Sequence, residues 1–479
     1  MEKKHFKHFK HFNHFNHFKQ VTVKYTLLSV AFAIAVSVLL MGPLTAHAAE
    51  NEFPINTPLW AGPYDIFINP ELNIAFPDTG AAYWSAKCTI PEGATLELVC
   101  KYAHARYISI NSYDAVSGAP TDALNDTQII PDPGSENPFL PGAKRNSVYN
   151  RDFIITILNE LPPEDPADRM QNTLYAKAGD QGALTLAWRI YVMDKNRDIT
   201  GGVGLPEPRV TMASGEELDT EASYAVLSID PTPLPVMPMD PFTYGYLRGG
   251  YAWHEYAGEM PEYFPAQDPP DWMKTFDIAH TVTAWYVGLT LPTPPYKVAQ
   301  YANLDNQYMS VLLDRRYGEV AVIRAKAPIT PETYQRDPFM DGDFMDGDVD
   351  MRYWSITTNE SLVTTKVIDG VYDEQVPLDD NGFYTIVVCL VEDRPSNAED
   401  RYGVKWLHWG ENGDGAGNLD DGHLILRHML PSPGFEHAIQ KVLATGDEES
   451  VLGEYFPEIQ YMSTEEFEAL GNDPGANLP

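Results

Sequence analysis

The sequence has little positive charge. Its 479 residues include 33 Lys and Arg against 68 Asp and Glu, so the formal net charge is −35. Binding to phosphate backbones and to anionic lipid surfaces depends on Lys and Arg side chains. The composition therefore argues against a nucleic-acid partner and against docking to acidic membranes. A hydrophobic content of 44% with 12% aromatic residues is ordinary for a packed globular protein, which argues against disorder.

Familiar catalytic motifs are missing as well. The chain contains no nucleophile elbow, no Ser-x-x-Lys, no His-Glu-x-x-His, no phosphate-binding loop and no Cys-x-x-Cys. The Gly-Gly-Val-Gly stretch at 201–204 is followed by Pro206, where a dinucleotide-binding turn would open into a helix. The catalytic residues are therefore unknown from sequence, and whether the protein is an enzyme is left open.

A long apolar run occurs once, near the N-terminus. Residues 25–41 follow a Lys-containing stretch and precede Ala46-His47-Ala48, a small-x-small pattern typical of signal peptidase sites. Residues 1–48 are therefore predicted to be a secretory signal peptide, with a retained membrane anchor as the alternative. Removing them leaves 27 basic and 67 acidic residues, a net charge of −40. We expect a secreted or periplasmic protein with no membrane insertion after cleavage, because no later segment approaches the length of a spanning helix.

Cysteine is scarce, at three residues. Cys88 and Cys100 flank a Pro-Glu-Gly turn between two strand-like runs, which predicts a hairpin disulfide closing a loop of about a dozen residues. Cys389 lies inside a β-branched run and is predicted to be a buried thiol.

The dominant positive signal is β structure. Short runs rich in β-branched and aromatic residues alternate with turn residues, as in all-β proteins. The predicted strands lie at 106–113, 153–158, 183–193, 309–314, 319–325, 352–358 and 383–391. Proline clusters between 231 and 295, where regular sheet is not expected because proline removes a backbone donor. Helices are predicted near 272–288, 434–445 and 463–470, the last opened by a capping box from Ser463 to Glu466.

A weak internal repeat divides the chain. Arg106-Tyr107-Ile108-Ser109-Ile110 and Arg352-Tyr353-Trp354-Ser355-Ile356 agree at four of five positions, and each precedes a second Arg-bearing strand, with Arg189 and Arg427. Two landmarks in the same order predict two related modules, with chance similarity between strands as the alternative. We therefore predict a mainly β fold of two related β-sandwich-like modules joined by a Pro-rich stretch, with a few short helices. The boundaries are 1–48 for the signal peptide, 49–228 for the N-terminal module, 229–300 for the Pro-rich connection, 301–446 for the C-terminal module and 447–479 for an acidic tail with a short helix.

Several stretches resemble a family of uncharacterised exported bacterial proteins. They are RYISINSYD (106–114), PDPGSENPF (131–139), DNQY (305–308), RYWSITTNES (352–361), DGVYDEQVPLDDNGFYTIVV (369–388), GVKWLHWG (403–410) and LILRHMLPSP (424–433). The C-terminal module is similar to a domain of unknown function with a WS-containing strand and a later NWLP-like turn, in which this chain has Lys405 for Asn and His408 for Pro. The resemblance covers most of residues 60–440. It implies export and a β fold and brings no established activity.

Alternation along the strands selects candidate ligand-binding residues. It places Arg189 and Tyr191 opposite the apolar face of their strand, and His423 and Arg427 opposite the apolar face of theirs. Arg189 and Arg427 suit bidentate binding of a carboxylate or sulfate, and pairing with an Asp or Glu of the protein is the alternative. His428 falls on the apolar face and is predicted to be a core histidine with one hydrogen bond.

A second candidate site is aromatic and acidic. Trp406, His408 and Trp409 precede a Gly-rich acidic loop, and exposed Trp beside carboxylates suits a sugar. An acid pair for glycoside cleavage would come from Asp373, Glu374, Asp414, Asp420 and Asp421. Trp packing beneath the loop is the alternative.

One cofactor hypothesis emerges from a duplicated Met-Asp-Gly-Asp. It supplies Asp341, Asp343, Asp346 and Asp348, and clustered carboxylates are the ligands that Ca²⁺ prefers. A solvated acidic loop is the alternative, and no other cofactor is evident.

These features favour a protein that binds a small molecule or a glycan between its two modules. An extracellular hydrolase or lyase acting on a polymer, and an envelope structural or assembly component, are the alternatives. A concave pocket that joins Arg427 or Arg189 to a His and a carboxylate would favour an enzyme. An open aromatic strip around Trp406 and Trp409 would favour glycan binding, and a flat apolar patch would favour assembly.

Overall fold

The computed structural model describes residues 57–478, apart from 144, 146–148, 196, 237, 297–299 and 335–348. The predicted signal peptide and the four Asp residues of the calcium hypothesis lie outside the described residues. Within them the chain is mainly β, with four sheets and a few short helices. None of the helices in the described part of the chain is long and apolar enough to cross a membrane.

The N-terminal module is a sandwich of two sheets. One sheet contains β1 (Ala61–Tyr64), β2 (Ala81–Thr89), β4 (Ala105–Tyr113), β5 (Pro120–Asn125), β8 (Leu184–Met193) and β10 (Ser228–Asp230). The other contains β3 (Thr95–Lys101), β6 (Asp152–Leu158), β7 (Thr173–Tyr175) and β9 (Glu207–Thr211). Their orders are β1-β2-β8-β4-β5, with β10 also pairing with β2, and β7-β6-β3-β9. Side chains such as Trp84, Leu98, Ile155 and Trp188 form one buried core between them.

The C-terminal module repeats this architecture. One sheet contains β11 (Met273–Lys274), β12 (Asn306–Asp314), β14 (Met351–Asn359), β15 (Val367–Tyr372) and β18 (Asp421–Pro431). The other contains β13 (Val320–Lys326), β16 (Phe383–Cys389), β17 (Val404–His408) and β19 (Glu458–Met462). Their orders are β11-β12-β18-β14-β15 and β17-β16-β13-β19. Each strand of the C-terminal module therefore has the sheet position of the N-terminal strand whose number is ten lower, so that β11 corresponds to β1 and β18 to β8. The parallel pairs β6–β7 and β16–β17 correspond in the same way.

The repeat seen in the sequence is this structural repeat. Arg106 and Arg352 lie at equivalent positions on β4 and β14, and Arg189 and Arg427 lie on β8 and β18. Even an indole contact recurs, since the Nε1 atoms of Trp60 and Trp272 each donate to a proline carbonyl at 2.7 Å. The predicted fold class of two related β-sandwich modules is confirmed.

The two modules pack together through the first sheet of each, called here the inner sheets. Strands β4 and β14 are buried along their whole length, whereas β3 and β6 in an outer sheet alternate between buried and less buried residues. This is the pattern expected when inner sheets are covered on both faces. A cluster between the modules contains Tyr107, Tyr191, Tyr353, Tyr372 and Met429.

Two reciprocal ion pairs cross this interface. The Arg106 guanidinium donates to both carboxylate oxygens of Asp373, at 2.6 and 2.7 Å, and also contacts Glu374. In the opposite direction, the Nη1 atom of Arg352 donates to Asp126 at 3.0 Å. Asp126 and Asp373 each follow the equivalent strand, β5 or β15. The duplication therefore produces a pseudo-twofold interface in which each module supplies the counterion of the other.

Helices occupy the connection and the C-terminus. They are α1 (Thr220–Val226), α2 (Pro241–Arg248), α3 (Tyr251–Tyr256), α4 (Ile278–Val287), α5 (Glu448–Leu452), α6 (Thr464–Glu468) and α7 (Pro474–Asn477). The carboxylate of Asp277 caps α4, which ends at Gly288 with φ of 69°. Helices α2 to α4 share a small apolar core with Leu312 of β12, so this helical layer covers part of the C-terminal inner sheet.

The predicted disulfide is wrong, because Cys88 and Cys100 are both free thiols. The turn between them connects two different sheets, so β2 and β3 do not form a hairpin. Cys88 lies next to the end of β2, whereas Cys100 lies five residues beyond the start of β3. At about 3.3 Å per residue, this stagger exceeds the Cα separation of about 7 Å that a disulfide tolerates. Burial raises the pKa of Cys88 to about 12. The prediction for Cys389 agrees with the structure, in which it is a buried free thiol.

Three further expectations differ from the structure. The connection predicted at 229–300, where no regular sheet was expected, supplies β11, which pairs with β12. The segment assigned to an acidic tail supplies β19, which pairs with β13 in the outer sheet of the C-terminal module. The helix expected at 434–445 is only a short 3-10 turn, Ile439–Lys441. By contrast, α6 begins with the predicted capping box between Ser463 and Glu466.

Candidate functional site

A cavity of about 160 Å³ lies between the two modules. Its walls come from β2 and β8 of one inner sheet, from β12 and β18 of the other, from α4, and from the segments at 74–77 and 300–303. Most of this lining is apolar or aromatic. The pocket therefore lies at the pseudo-twofold interface, with the helical layer forming one side.

Two buried arginines supply the charge of the cavity. Arg189 and Arg427 are 4% and 3% exposed and line it from equivalent strands. Each is paired in strand register with a tyrosine, Tyr83 for Arg189 and Tyr308 for Arg427. Each guanidinium also lies over that ring, at 5.7 and 6.0 Å from the ring centroid. Arginine stays protonated in proteins, so the cavity contains two fixed cations.

The main chain around the cavity supports both arginines in the same way. Arg427 donates to the carbonyl oxygen of Phe76 at 2.8 Å, and Arg189 donates to that of Tyr301. Phe76 and Tyr301 both have left-handed backbone conformations, with φ of 51° and 54°. Bulky residues rarely adopt this conformation, and such backbone strain concentrates at functional sites.

The surroundings of the two arginines differ in charge. The Asp78 carboxylate lies 3.7 Å from the Nε atom of Arg427. Arg189 donates to the side chains of Asn111 and Tyr113 and to the Tyr301 carbonyl, all of which are uncharged. Among the described residues, no carboxylate forms an ion pair with Arg189. Pairing with an acidic residue of the protein, the alternative to ligand binding, is therefore found for Arg427 but not for Arg189.

Aromatic side chains form much of the remaining wall. Tyr83 and Tyr191 are in edge-to-face contact, with ring centroids 5.9 Å apart. Burial raises the pKa of both phenols, so they are neutral at physiological pH. Tyr308 and Trp285 complete the aromatic surface from β12 and α4. Such walls suit a flat or apolar ligand body.

His423 lies where the cavity meets the helical layer. Its ring contacts Phe76 and Trp285, with centroids 5.4 and 5.6 Å apart. The Nδ1 atom lies 3.3 Å from the Glu360 carbonyl oxygen, and Nε2 is buried with no hydrogen-bond partner among the described residues. Burial lowers the pKa of His423 to about 4, so the ring is neutral at pH 7.

The structure brings together four of the seven residues proposed from sequence as a ligand site. Arg189, Tyr191, His423 and Arg427 all line the cavity. Strand alternation selected them because each faces away from the core of its own sandwich. The sequence reasoning missed Tyr83 and Tyr308, although each follows the same alternation on β2 or β12.

The other three proposed residues lie elsewhere. Trp406 and His408 are on β17, at the edge of an outer sheet. Trp409 is 1% exposed and belongs to the core of the C-terminal module, where its Nε1 donates to the Asp421 carbonyl oxygen at 3.1 Å. There is no open strip joining Trp406 and Trp409, because the second ring packs inward.

The carboxylates considered for glycoside cleavage are engaged by protein partners, and two of them, Asp414 and Asp421, line one small pocket beside His423. Asp373 and Glu374 contact Arg106 at the module interface. Asp421 binds Arg248 of α2, and burial raises its pKa to about 6. Asp414 accepts from the Tyr244 hydroxyl at 2.7 Å. None of the described residues that line the main cavity is an Asp or a Glu.

Metal ligation finds no support in the described part of the chain. No group of three or more His, Cys, Asp or Glu side chains there has the geometry to hold a metal ion.

His428 is buried in the core and accepts the Ile439 N–H through Nδ1 at 3.2 Å, which agrees with the single hydrogen bond predicted. Burial lowers its pKa to about 3.

Comparison with known proteins gives structural neighbours of low similarity. No protein-family model and no curated protein matches the chain. A crystal structure of an uncharacterized protein from Burkholderia cenocepacia aligns with a TM-score of 0.40 and 12% identity, covering 82% of this chain and 79% of that one. The VPA0106 protein from Vibrio parahaemolyticus aligns with a TM-score of 0.38 and 14% identity, covering 87% and 94%. Similarity at this level supports no inference about activity.

Proposed function

We propose that the protein binds a small organic molecule carrying a negative charge, in the cavity between its two modules. One observation carries the proposal: two buried arginines line an otherwise mostly apolar cavity, in a chain whose net charge is −35. Burying cations costs free energy unless they are paired. Arg–carboxylate and Arg–sulfate contacts are strong and directional, so an anionic ligand would offset that cost.

Binding fits the cavity better than acid–base catalysis. A hydrolase or lyase needs a proton donor or acceptor within reach of its substrate. The described lining contains no carboxylate, and burial lowers the pKa of His423 to about 4, which makes its free Nε2 atom a weak proton acceptor. The Asp78 carboxylate accepts hydrogen bonds from the hydroxyl groups of Tyr353 and Ser355, at 2.6 and 2.7 Å.

A small molecule also fits better than a glycan chain. The cavity has about the volume of engineered cavities that hold a benzene-sized ligand. Polymer binding requires an open aromatic surface, and the tryptophan expected at its centre, Trp409, is buried. Export remains part of the proposal, on the evidence of the N-terminal sequence.

Thermal unfolding of the purified protein with a panel of small acids and neutral oligosaccharides tests this proposal. A ligand at 100 times its Kd stabilises the folded protein by about 2.7 kcal/mol, which raises the melting temperature measurably. The Arg189→Met/Arg427→Met variant should lose that stabilisation while remaining folded by circular dichroism. Stabilisation by oligosaccharides alone, or undiminished stabilisation of the double variant, would contradict the proposal.

A further inference from the structure

We infer that the ligand is a monoanion and that its acidic group binds at Arg189 rather than at Arg427. This inference rests on the proposed function and adds the charge, orientation and size of the ligand. It comes from comparing two sites that the duplication made equivalent and that now differ in one charge.

The two arginines have matching neutral acceptors. Arg189 on β8 donates to Asn111 of β4 and to the Tyr301 carbonyl. Arg427 on β18 donates to Thr357 of β14 and to the Phe76 carbonyl, both at 2.8 Å. Asn111 and Thr357 lie five residues after the equivalent Arg106 and Arg352. Apart from the Tyr113 hydroxyl, which also accepts from Arg189, the local frame is therefore the same on both sides of the cavity.

The difference lies two residues after the equivalent Phe76 and Tyr301, where one module has Asp78 and the other has the neutral Asn303. Asp78 precedes β2, accepts from Ser355 at 2.7 Å and lies 3.7 Å from Arg427. The equivalent Asn303 accepts from the Tyr107 hydroxyl at 3.2 Å, as Asp78 accepts from the equivalent Tyr353 at 2.6 Å. The nearby Asp305 accepts from Tyr107 and Asn125, at 2.6 and 3.0 Å. Asp305 forms no ion pair with Arg189.

The serines at equivalent positions of β14 and β4 differ in the same way, since only one of them contacts a carboxylate. Ser355 of β14 donates to Asp78, whereas the equivalent Ser109 of β4 donates to Asn111 at 3.2 Å. Arg427 therefore has a protein carboxylate beside it, and Arg189 has none among the described residues. The described residues around the cavity therefore carry an excess of one positive charge, located at Arg189, which one acidic group neutralises.

The size and walls of the cavity define the rest of the ligand. A volume of about 160 Å³ accepts a body about as large as a benzene ring. The body would contact Tyr83 and Tyr308, on the two inner sheets, and Trp285 of the helical layer. The ligand class is therefore a monocarboxylic acid, or an acid of similar charge, with a ring-sized apolar body.

Isothermal titration with defined probes tests the charge. Benzoate, cyclohexanecarboxylate and hexanoate represent the class, methyl benzoate is the neutral control, and phthalate is the dianionic control. We expect at least one monocarboxylate to bind at least tenfold more tightly than methyl benzoate and phthalate. Tighter binding of phthalate, or equal binding of methyl benzoate, would overturn the inference while leaving a small-molecule site in place. Binding of none of the probes would overturn the inference, whereas the proposed function would still be judged by the wider acid panel.

Two isosteric substitutions test the position. Asn111→Asp places a carboxylate against Arg189 and should weaken monocarboxylate binding at least tenfold, without the cavity that Arg189→Met leaves. Asp78→Asn removes the carboxylate beside Arg427 and should improve phthalate binding relative to benzoate. Unfolding midpoints within a few degrees of the parent protein establish that both variants fold. Unchanged monocarboxylate binding by the folded Asn111→Asp variant would overturn the assignment to Arg189, and if that variant does not fold, Arg189→Gln replaces it with the same expected loss.

Discussion

The reciprocal ion pairs between the modules should contribute strongly to stability. We consider the replacement of Arg352 by Met, which removes the guanidinium that contacts Asp126. The side chains of Arg352 and Asp126 are 2% and 0% exposed. Met keeps much of the apolar stem, so the main change is a buried carboxylate that has lost its counterion.

The magnitude follows from this burial. Breaking a buried pair from one side costs about 3–5 kcal/mol, whereas exposed pairs contribute about 0.2–1 kcal/mol. We therefore expect Arg352→Met to lower the free energy of unfolding by about 3–5 kcal/mol. Arg106→Met should cost at least as much, because Arg106 contacts both Asp373 and Glu374.

A double-mutant cycle separates the ion pair from the loss of packing. In the Arg352→Met/Asp126→Asn variant both charges are absent, and the new amide oxygen can still accept the Ile108 N–H that Asp126 accepts at 2.9 Å. The coupling energy should be about 2 kcal/mol or more. Urea unfolding followed by tryptophan fluorescence measures each corner of the cycle. Arg401→Met is the control, because Arg401 and Glu399 form an exposed pair, and it should cost less than about 1 kcal/mol.

Two results would refute the reasoning. One is a loss of less than about 1 kcal/mol for both Arg352→Met and Arg106→Met, as at exposed pairs. The other is additivity within about 0.5 kcal/mol in the cycle, as for independent sites. High salt should leave the cost largely unchanged, because buried pairs are poorly screened.

Two further predictions concern protonation and thiols. Burial lowers the pKa of His428 to about 3. Between about pH 6.5 and pH 3 the unfolded chain therefore binds one more proton than the folded protein, and the free energy of unfolding falls as the pH falls. In urea unfolding at pH 4–6, His428→Gln should reduce this pH dependence by about 1.4 kcal/mol per pH unit. An unchanged slope would show that His428 is protonated in the folded protein. Thiol labelling of the denatured, non-reduced protein should find three thiols per chain. Labelling of the folded protein should find almost none, because Cys88, Cys100 and Cys389 are buried. A single thiol in the denatured protein would show that Cys88 and Cys100 form a disulfide after all.

Local periodicity was sufficient for much of the fold and for part of the site. Successive side chains of a strand point to opposite faces of the sheet, so the pattern around Arg189 and Arg427 identified the face of each strand that points away from the core of its own module. The agreement around Arg106 and Arg352 similarly predicted two related modules. These inferences succeeded because they depend on neighbours within one strand.

What periodicity could not provide is the partner across a sheet or a module. Nothing near Cys88 indicates that the next turn crosses to another sheet, so an arch was interpreted as a hairpin. Trp409 follows β17 directly, and only the packing of the C-terminal module directs its ring inward. The pairing of Arg106 with Asp373 joins residues 267 positions apart. Such contacts are determined by tertiary packing, and the local pattern does not encode them.

The duplication explains why a binding cavity lies at this interface. Two copies of one module, packed through equivalent sheets, bring equivalent arginines to the same cavity. A strictly symmetric arrangement would give both arginines the same counterion and therefore no preference for an orientation. The divergence of Asp78 from the equivalent Asn303 breaks that symmetry, because a carboxylate lies beside Arg427 whereas a neutral amide occupies the corresponding position of the other module. An orientation preference for an asymmetric acid thus arises from a single difference between an acid and an amide in a duplicated frame, without any new catalytic or metal-binding residue.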